Sequence, residues 1–327
     1  MNVLVVGGAG YIGSATVARL RHDSHGVVVF DDLSNGHREA VPEGVPLVIG
    51  DVGDAAALDE VFRRHPVDLV MHFAALIEAG ESMKMPERFF RTNTVGTLTL
   101  LQAMLRHGVQ RFVFSSTAAL FGNPDQVPID ETHALHPTNA YGESKLLTER
   151  MLDWLNRVHG LRFACLRYFN AAGARSPDHG EDHRPESHLV PLVLQVALGR
   201  RPMVSIFGTD YATPDGTCVR DYIHVDDLAE AHLLAAQALA AHDRLHYNLG
   251  NGEGFSVRQV IAAAREVTGH PIPAVEAPRR AGDPAILVAS SAKIRSELGW
   301  QPRVPKLADI IRSAWEWHRR HPQGYGS

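Results

Sequence analysis

The chain has 327 residues, 45% of them hydrophobic and 21% charged, which is ordinary globular composition and excludes a disordered or fibrous class. A formal charge of −5, from 32 basic and 37 acidic side chains, provides no basic field for nucleic acid or an anionic membrane, so an anionic ligand must be held locally. Two cysteines, Cys165 and Cys218, imply no disulfide framework and suit a reducing cytoplasm; neither a signal peptide nor a transmembrane segment is expected.

Short apolar runs alternate with amphipathic stretches along the first half. Strands are expected at Val3–Val6, Val27–Phe30, Leu47–Ile49, Leu69–Phe73, Phe112–Phe114 and Phe163–Leu166. Their near-continuous apolar character predicts an α/β fold, a doubly wound parallel sheet of Rossmann type with helices on both faces. After Asn170 the rhythm gives way to a Gly-, Pro- and charge-rich loop, Ala171–Glu186, and then a helix over His188–Leu198. Residues 1–170 therefore read as a dinucleotide-binding domain and 171–327 as a smaller α/β substrate domain. Helices over Val225–Ala241 and Val257–Thr268 flank a strand, Leu245–Leu249, so segments near 220–250 are expected to return to the main sheet.

Gly7-Gly8-Ala9-Gly10-Tyr11-Ile12-Gly13 lies between the first strand and a helix. Glycines at Gly7, Gly10 and Gly13 let the backbone turn tightly and approach a pyrophosphate at the helix N-terminus, with Tyr11 and Ile12 in the same turn. Such a pattern alone also serves tight turns sterically. Asp31, 18 positions after Gly13 at the second strand's end, suits the adenosine ribose hydroxyls and repels a 2′-phosphate, which predicts NAD over NADP. Asp32 reads better as a loop cap. Asp51, past the third strand, is either a ligand-facing carboxylate or a helix cap.

Tyr141 and Lys145 share one face of a helix over Tyr141–His159. A cation beside the phenol would lower its pKa and make it a usable base. Ser115-Ser116-Thr117 ends the fifth strand, from which Thr117 can hydrogen-bond a substrate hydroxyl. Tyr-x-x-x-Lys is common on ordinary helices and becomes a catalytic candidate only beside the glycine turn and this strand end.

These motifs, with Leu166-Arg167-Tyr168-Phe169-Asn170, Ile206-Phe207-Gly208-Thr209-Asp210-Tyr211 and the run from Asp215 to Val225, resemble the UDP-galactose 4-epimerases of the extended short-chain dehydrogenase group almost end to end. The resemblance implies a reaction that oxidises C4 of a UDP-sugar with bound NAD, lets the 4-keto sugar rotate, and reduces it on the opposite face. It implies NAD contacts at Asn35, Val52, Phe73, Ala74, Ala75, Asn93, Ser115, Lys145 and Tyr168. It also implies UDP-sugar contacts at Thr117, Asn170, Leu189, Phe207, Arg220, Tyr222, Arg280, Asp283 and Leu287, and a homodimer pairing through Pro86–His107 and Tyr141–His159.

Thr117 stands where relatives often carry serine, Ile77 where some carry lysine, and His188 where some carry asparagine. Leu287 stands where tyrosine or cysteine tunes room for an N-acetyl group. The 4,6-dehydratases place Asp-Glu after the threonine, whereas here Ala118-Ala119 follow, which leaves epimerisation. A non-catalytic sensor is the reading from another class, and retention of Tyr141, Lys145 and Thr117 speaks against it. Epimerases of N-acetylhexosamine, pentose or uronate nucleotides have similar sequences. Nineteen histidines raise the question of metal, but His179, Asp182 and His183 read as a solvated polar loop and no metal is expected. No Gly-x-Ser-x-Gly elbow supports a serine hydrolase.

Overall fold

The computed structural model describes residues 1–280 and 283–326. In chain order its strands are β1 (Asn2–Val6), β2 (Gly26–Asp31), β3 (Leu47–Ile49), β4 (Leu69–His72), β5 (Arg111–Thr117), β6 (Arg162–Tyr168) and β7 (Asn170–Ala172). There follow β8 (Val204–Phe207), β9 (Val219–His224), β10 (Arg244–Leu249), β11 (Gly254–Ser256), β12 (Ala274–Ala277) and β13 (Ile286–Leu287).

Seven of them form a parallel sheet in the order β10-β6-β5-β4-β1-β2-β3. The strand period of two explains the apolar runs. Val3 and Val5 enter one core with Ala164 and Leu166, while Leu4 and Val6 enter the other with Phe163 and Cys165. Both faces are thus covered, and the Rossmann expectation holds. Strand order reverses between β1 and β4, the position at which open α/β sheets bind ligands beyond the strand C-termini.

A third core unites Val190, Val193 and Leu194 with Ile206, Tyr222, Val260, Ile261, Ile310 and Ile311. It lies under the helices Leu189–Ala197, Val257–Thr268 and Leu307–Arg320. The helix Val257–Thr268 begins in a capping box between Ser256 and Gln259 and ends on Gly269 at φ 73°, a left-handed cap that glycine takes without strain. Two small sheets accompany this core, one containing β7, β9, β11 and β13 and one pairing β8 with β12. Of the segments near 220–250, β10 joins the large sheet beside β6, whereas β9 stays in a small one.

One expected helix has a different internal geometry. The run predicted over 86–107 contains α-helical turns at Pro86–Phe89 and Thr97–Arg106, separated by a π-helical segment, Phe90–Gly96. Propensity carries no signal for a widened turn. Its cause is tertiary: Asn93 is drawn in to serve Leu76 and Ser144.

Candidate functional site

The turn after β1 is shaped by two close approaches. Gly7 has φ +79°, and a Cβ there would lie 2.3 Å from the nitrogen of Ala74; a Cβ on Gly13 would lie 2.1 Å from the carbonyl of Gly7. Only glycine permits this packing of turn, β4 exit and helix. The helix Tyr11–His22 starts at Gly10 with no side-chain cap and no acid in its first turn, so its N-terminal N–H groups and positive dipole end face outward, as an anion site requires. These features fit the pyrophosphate of a dinucleotide.

At the end of β2, Asp31 is 7% exposed and accepts from Ala9 N (2.9 Å) and Leu33 N (2.9 Å), tying the glycine turn to the next loop. Burial raises its pKa, against the lowering effect of these two N–H groups. Asp32 accepts instead from Ser34 N and Oγ and caps the loop, as expected. Asp51 accepts from Gly53 N at 2.6 Å, while Asp54 caps the following helix Ala55–Arg64. Its alternative role as a helix cap is therefore not the one it takes.

The glycine turn, Asp31 and Asp51 line one cavity of about 510 Å³. Within it the structure brings together Gly7, Gly10, Tyr11, Ile12, Gly13, Asp31, Asn35, Asp51, Val52, Phe73, Ala74 and Ala75 with Ser115, Thr117, Tyr141, Lys145, Tyr168, Asn170, Leu189 and Tyr222. Asn93 is outside it: its amide holds both the N–H and the carbonyl of Leu76, at 2.8 and 3.0 Å, and so supports the wall rather than facing the cavity. Also outside are Phe207, Arg220, Arg280, Asp283 and Leu287. Four of these form their own group: Asp283 receives Arg280 (2.9 Å) and Arg220 (3.4 Å), and Arg280 stacks on Phe207 at 5.1 Å. Leu287 pairs with Arg220 across β13 and β9 and joins the apolar cluster of Ala118, Phe121 and Ile129.

Tyr141 enters from the helix Ala140–His159, whose start is capped by Asn139 accepting from Gly142 N at 2.8 Å. The absence of a Cβ on Gly142 lets this end lie against Ala119, 2.7 Å from where that Cβ would be. Burial raises the Tyr141 pKa; the Thr117 hydroxyl opposes the shift by hydrogen-bonding the phenol, and Glu78 adds to it. Lys145 is buried too. Its ammonium donates to Ser115 O at 2.9 Å and lies 4.8 Å from the centre of the Phe114 ring, with its own pKa pushed down by burial to about 7. The lowering expected for Tyr141 is not what burial leaves in the protein alone, where the phenol's pKa is raised. The i, i+4 spacing places both stems on one face, but the carbonyl of Ser115 captures the ammonium.

The strand end carrying Ser115 and Thr117 is anchored from behind. Glu149 receives Arg167 through two bonds of 3.0 and 2.6 Å and Ser116 Oγ at 2.6 Å, all three side chains being buried. Ser115 Oγ and Tyr168 OH hydrogen-bond each other above it. The residues that sequence reasoning missed are of this supporting kind, together with Gly36, where a Cβ would lie 2.8 Å from Asp31 Oδ1. The run Asp31-Asp32-Leu33-Ser34-Asn35-Gly36 carried a turn signal that could have found it.

The expected solvated loop is also corrected. His179 is bonded to Ser14 Oγ (2.7 Å), Asp182 faces His37 (3.3 Å), and His183 turns away from both toward Glu181 (3.2 Å). The three do not converge on one another.

A dinucleotide turn opening onto a Thr/Tyr/Lys group at the C-terminal edge of a parallel sheet defines a nucleotide-dependent short-chain dehydrogenase type of protein. The chain belongs to the NAD dependent epimerase/dehydratase family, whose model matches residues 3–250. It is 53% identical to the UDP-glucose 4-epimerase of Halalkalibacterium halodurans, over 100% of this chain and 98% of that one. A crystal structure of a UDP-glucose 4-epimerase superposes with TM-score 0.97 at 50% identity, covering 100% of both chains. The UDP-glucose 4-epimerase of Bifidobacterium longum, solved with NAD⁺ and UDP, superposes with TM-score 0.96 at 38% identity, covering 99% of this chain and 100% of that one.

Proposed function

We infer that this protein is an NAD-dependent epimerase interconverting UDP-glucose and UDP-galactose at C4. The observation that carries the reading is the single cavity joining the phosphate-binding turn to Thr117, Tyr141 and Lys145. Full-length identity of 53% to a UDP-glucose 4-epimerase supports it.

When bound, the oxidised dinucleotide supplies a hydride acceptor that can return the hydride, and a positive charge beside the phenol. The uncapped turn at Gly10–Gly13 would hold its pyrophosphate and Asp31 its adenosine ribose. Lys145 and Tyr168, both engaged with Ser115, line the wall on which the reactive ring would rest. Tyr141 accepts the proton of the C4 hydroxyl as the sugar is oxidised and returns it to the C4 oxygen as the turned 4-keto sugar is reduced on its opposite face. Thr117 orients that hydroxyl, and its hydrogen bond favours the phenolate. With Ala118 and Ala119 after Thr117, no acid and base stand there for an elimination.

Leu287 and the Arg220–Asp283–Arg280 group are assigned to the substrate side, where the guanidinium forks suit a pyrophosphate. A homodimer is supported by Val95, Trp154 and Val158, exposed at 56%, 64% and 67% on helical segments that pack together. No described helix is long and apolar enough to cross a membrane, and the two free, buried thiols suit a reducing cytoplasm.

The test is to incubate purified protein with UDP-galactose and no added cofactor, and to analyse small molecules released on denaturation by mass spectrometry. Formation of UDP-glucose together with released NAD(H) is the expected result. Absence of turnover, or release of NADP, would overturn the reading or the role given to Asp31.

A further inference from the structure

Between β7 and the helix Leu189–Ala197 the chain carries Glu181-x-His183-x-x-Glu186-x-His188. The donor atoms of all four side chains lie within 4.8 Å of one another. Glu181 Oε1 is 2.5 Å from His188 Nδ1 and 3.2 Å from His183 Nδ1, and the Glu186 carboxylate is 3.9 Å from His183 Nδ1 and 4.0 Å from His188 Nδ1. The carboxylate side chains are only 3% and 7% exposed. His183 Nδ1 is itself buried and in no hydrogen bond, despite its closeness to Glu181, because it is not aligned for one. A buried ring nitrogen that faces two carboxylates without bonding either has the direction a metal ligand needs.

From this geometry we propose that Glu181, His183, Glu186 and His188 form a structural Zn²⁺ site. Bonds of about 2.0–2.2 Å in a tetrahedron set donors roughly 3.4 Å apart, so the four need shift by less than about 1 Å to close on an ion. Two imidazoles and two carboxylates are a borderline-soft set suited to zinc. Outer contacts already orient the ligands. Glu186 Oε1 accepts from the N–H groups of Ser187 (2.7 Å) and His188 (2.8 Å), and Trp317 Nε1 donates to the Glu181 carbonyl (3.1 Å).

Position gives the site a purpose. The His183 ring lies 6.2 Å from that of Tyr11, in the turn with the uncapped helix end. A divalent cation held there would staple the loop to the cavity wall, which His183 and His188 line themselves.

The holoenzyme is dialysed against zinc, then against metal-free buffer, and its metal content measured by plasma mass spectrometry. One zinc per chain is expected in the parent and none in H183A/H188A. The melting temperature of the parent should fall with chelator and recover with zinc, and that of the double variant should respond to neither. Should the double variant fail to fold, Co²⁺ titrated into chelator-treated parent reads the site directly, by the visible bands of a tetrahedral ion saturating at one equivalent. Zinc content no higher in the parent than in the variant, a melting temperature indifferent to chelator and zinc, or no tetrahedral cobalt spectrum would mean that the four groups are a closed ion cluster without metal, and would overturn the proposal.

Discussion

Lys145 Nζ donates to the main-chain carbonyl of Ser115 across 2.9 Å, joining the helix that carries the candidate base to the strand end that carries Thr117. In the protein alone this bond fixes where Tyr141 and Thr117 stand and leaves the phenol to burial, which raises its pKa. We propose that Lys145 positions this strand end and that a cation entering the cavity favours proton acceptance by Tyr141.

Tyr141→Phe keeps the ring and removes the proton carrier, so turnover should fall by about 10²–10⁴-fold, the usual contribution of a placed acid/base. Binding of UDP, followed by calorimetry, should survive. Thr117→Val removes one hydrogen bond and should cost less than Tyr141→Phe. Activity of Tyr141→Phe within a few-fold of the parent would remove Tyr141 from its role.

Glu149→Gln leaves the shape behind β5 and takes away the charge that pairs with Arg167. Breaking a buried pair of this kind costs about 3–5 kcal/mol because the guanidinium is left uncompensated. Urea unfolding of variant and parent measures it, and a loss below about 0.5 kcal/mol, the range of an ordinary surface change, would show that the pair is not what anchors this strand end.

Asp221 is fully buried and accepts from the N–H groups of Asn251, Gly252 and Ala289 at 2.8, 3.1 and 3.1 Å. Burial outweighs these bonds and lifts its pKa from 3.8 to about 6. A folded-state pKa above the unfolded one adds stability that is complete below pH 3.8 and is lost as pH rises through 6. Between those values the slope of stability against pH should be less favourable in the parent than in Asp221→Asn. The difference accumulates to at most ~3 kcal/mol by linkage. Denaturant midpoints measured from pH 4 to 7 check it, and parallel curves for the two proteins would contradict the shift.

Much of this was legible because it rests on local steric or periodic rules. The alternation of Val3–Val6 between two cores, the glycines at Gly7 and Gly13 and the Tyr141–Lys145 face follow from strand period, close approach and helix period. What was not legible depends on which distant group captures a side chain. Spacing could not tell that Ser115 O holds Lys145 or that Asn93 stands behind the cavity wall to grip Leu76. Nor could it tell that His183 parts from His179 to join Glu181, since the loop's path is set by Trp317 and Tyr325 at the far end of the chain.

Leu287 tests the assignment of the sugar pocket. Leucine neither closes the space at C2 as tyrosine does nor opens it as cysteine does, so UDP-glucose/UDP-galactose should be the better pair, with weaker turnover of the N-acetylated pair. Pocket changes of this size shift selectivity by roughly 10–200-fold. Leu287→Tyr should therefore raise the ratio of kcat/KM for UDP-galactose over UDP-N-acetylgalactosamine. An unchanged ratio would mean that Leu287, placed in the Ala118–Phe121–Ile129 cluster, lies too far from the sugar to act.

The central claim is that one hydride leaves C4 and returns to it from within the same cavity. UDP-galactose deuterated at C4, given to purified enzyme with no added cofactor, should yield UDP-glucose that keeps the deuterium at C4, as read by NMR of the product. No UDP-glucose, UDP-glucose carrying solvent hydrogen at C4, or a dehydrated 4-keto sugar as the end product would contradict it.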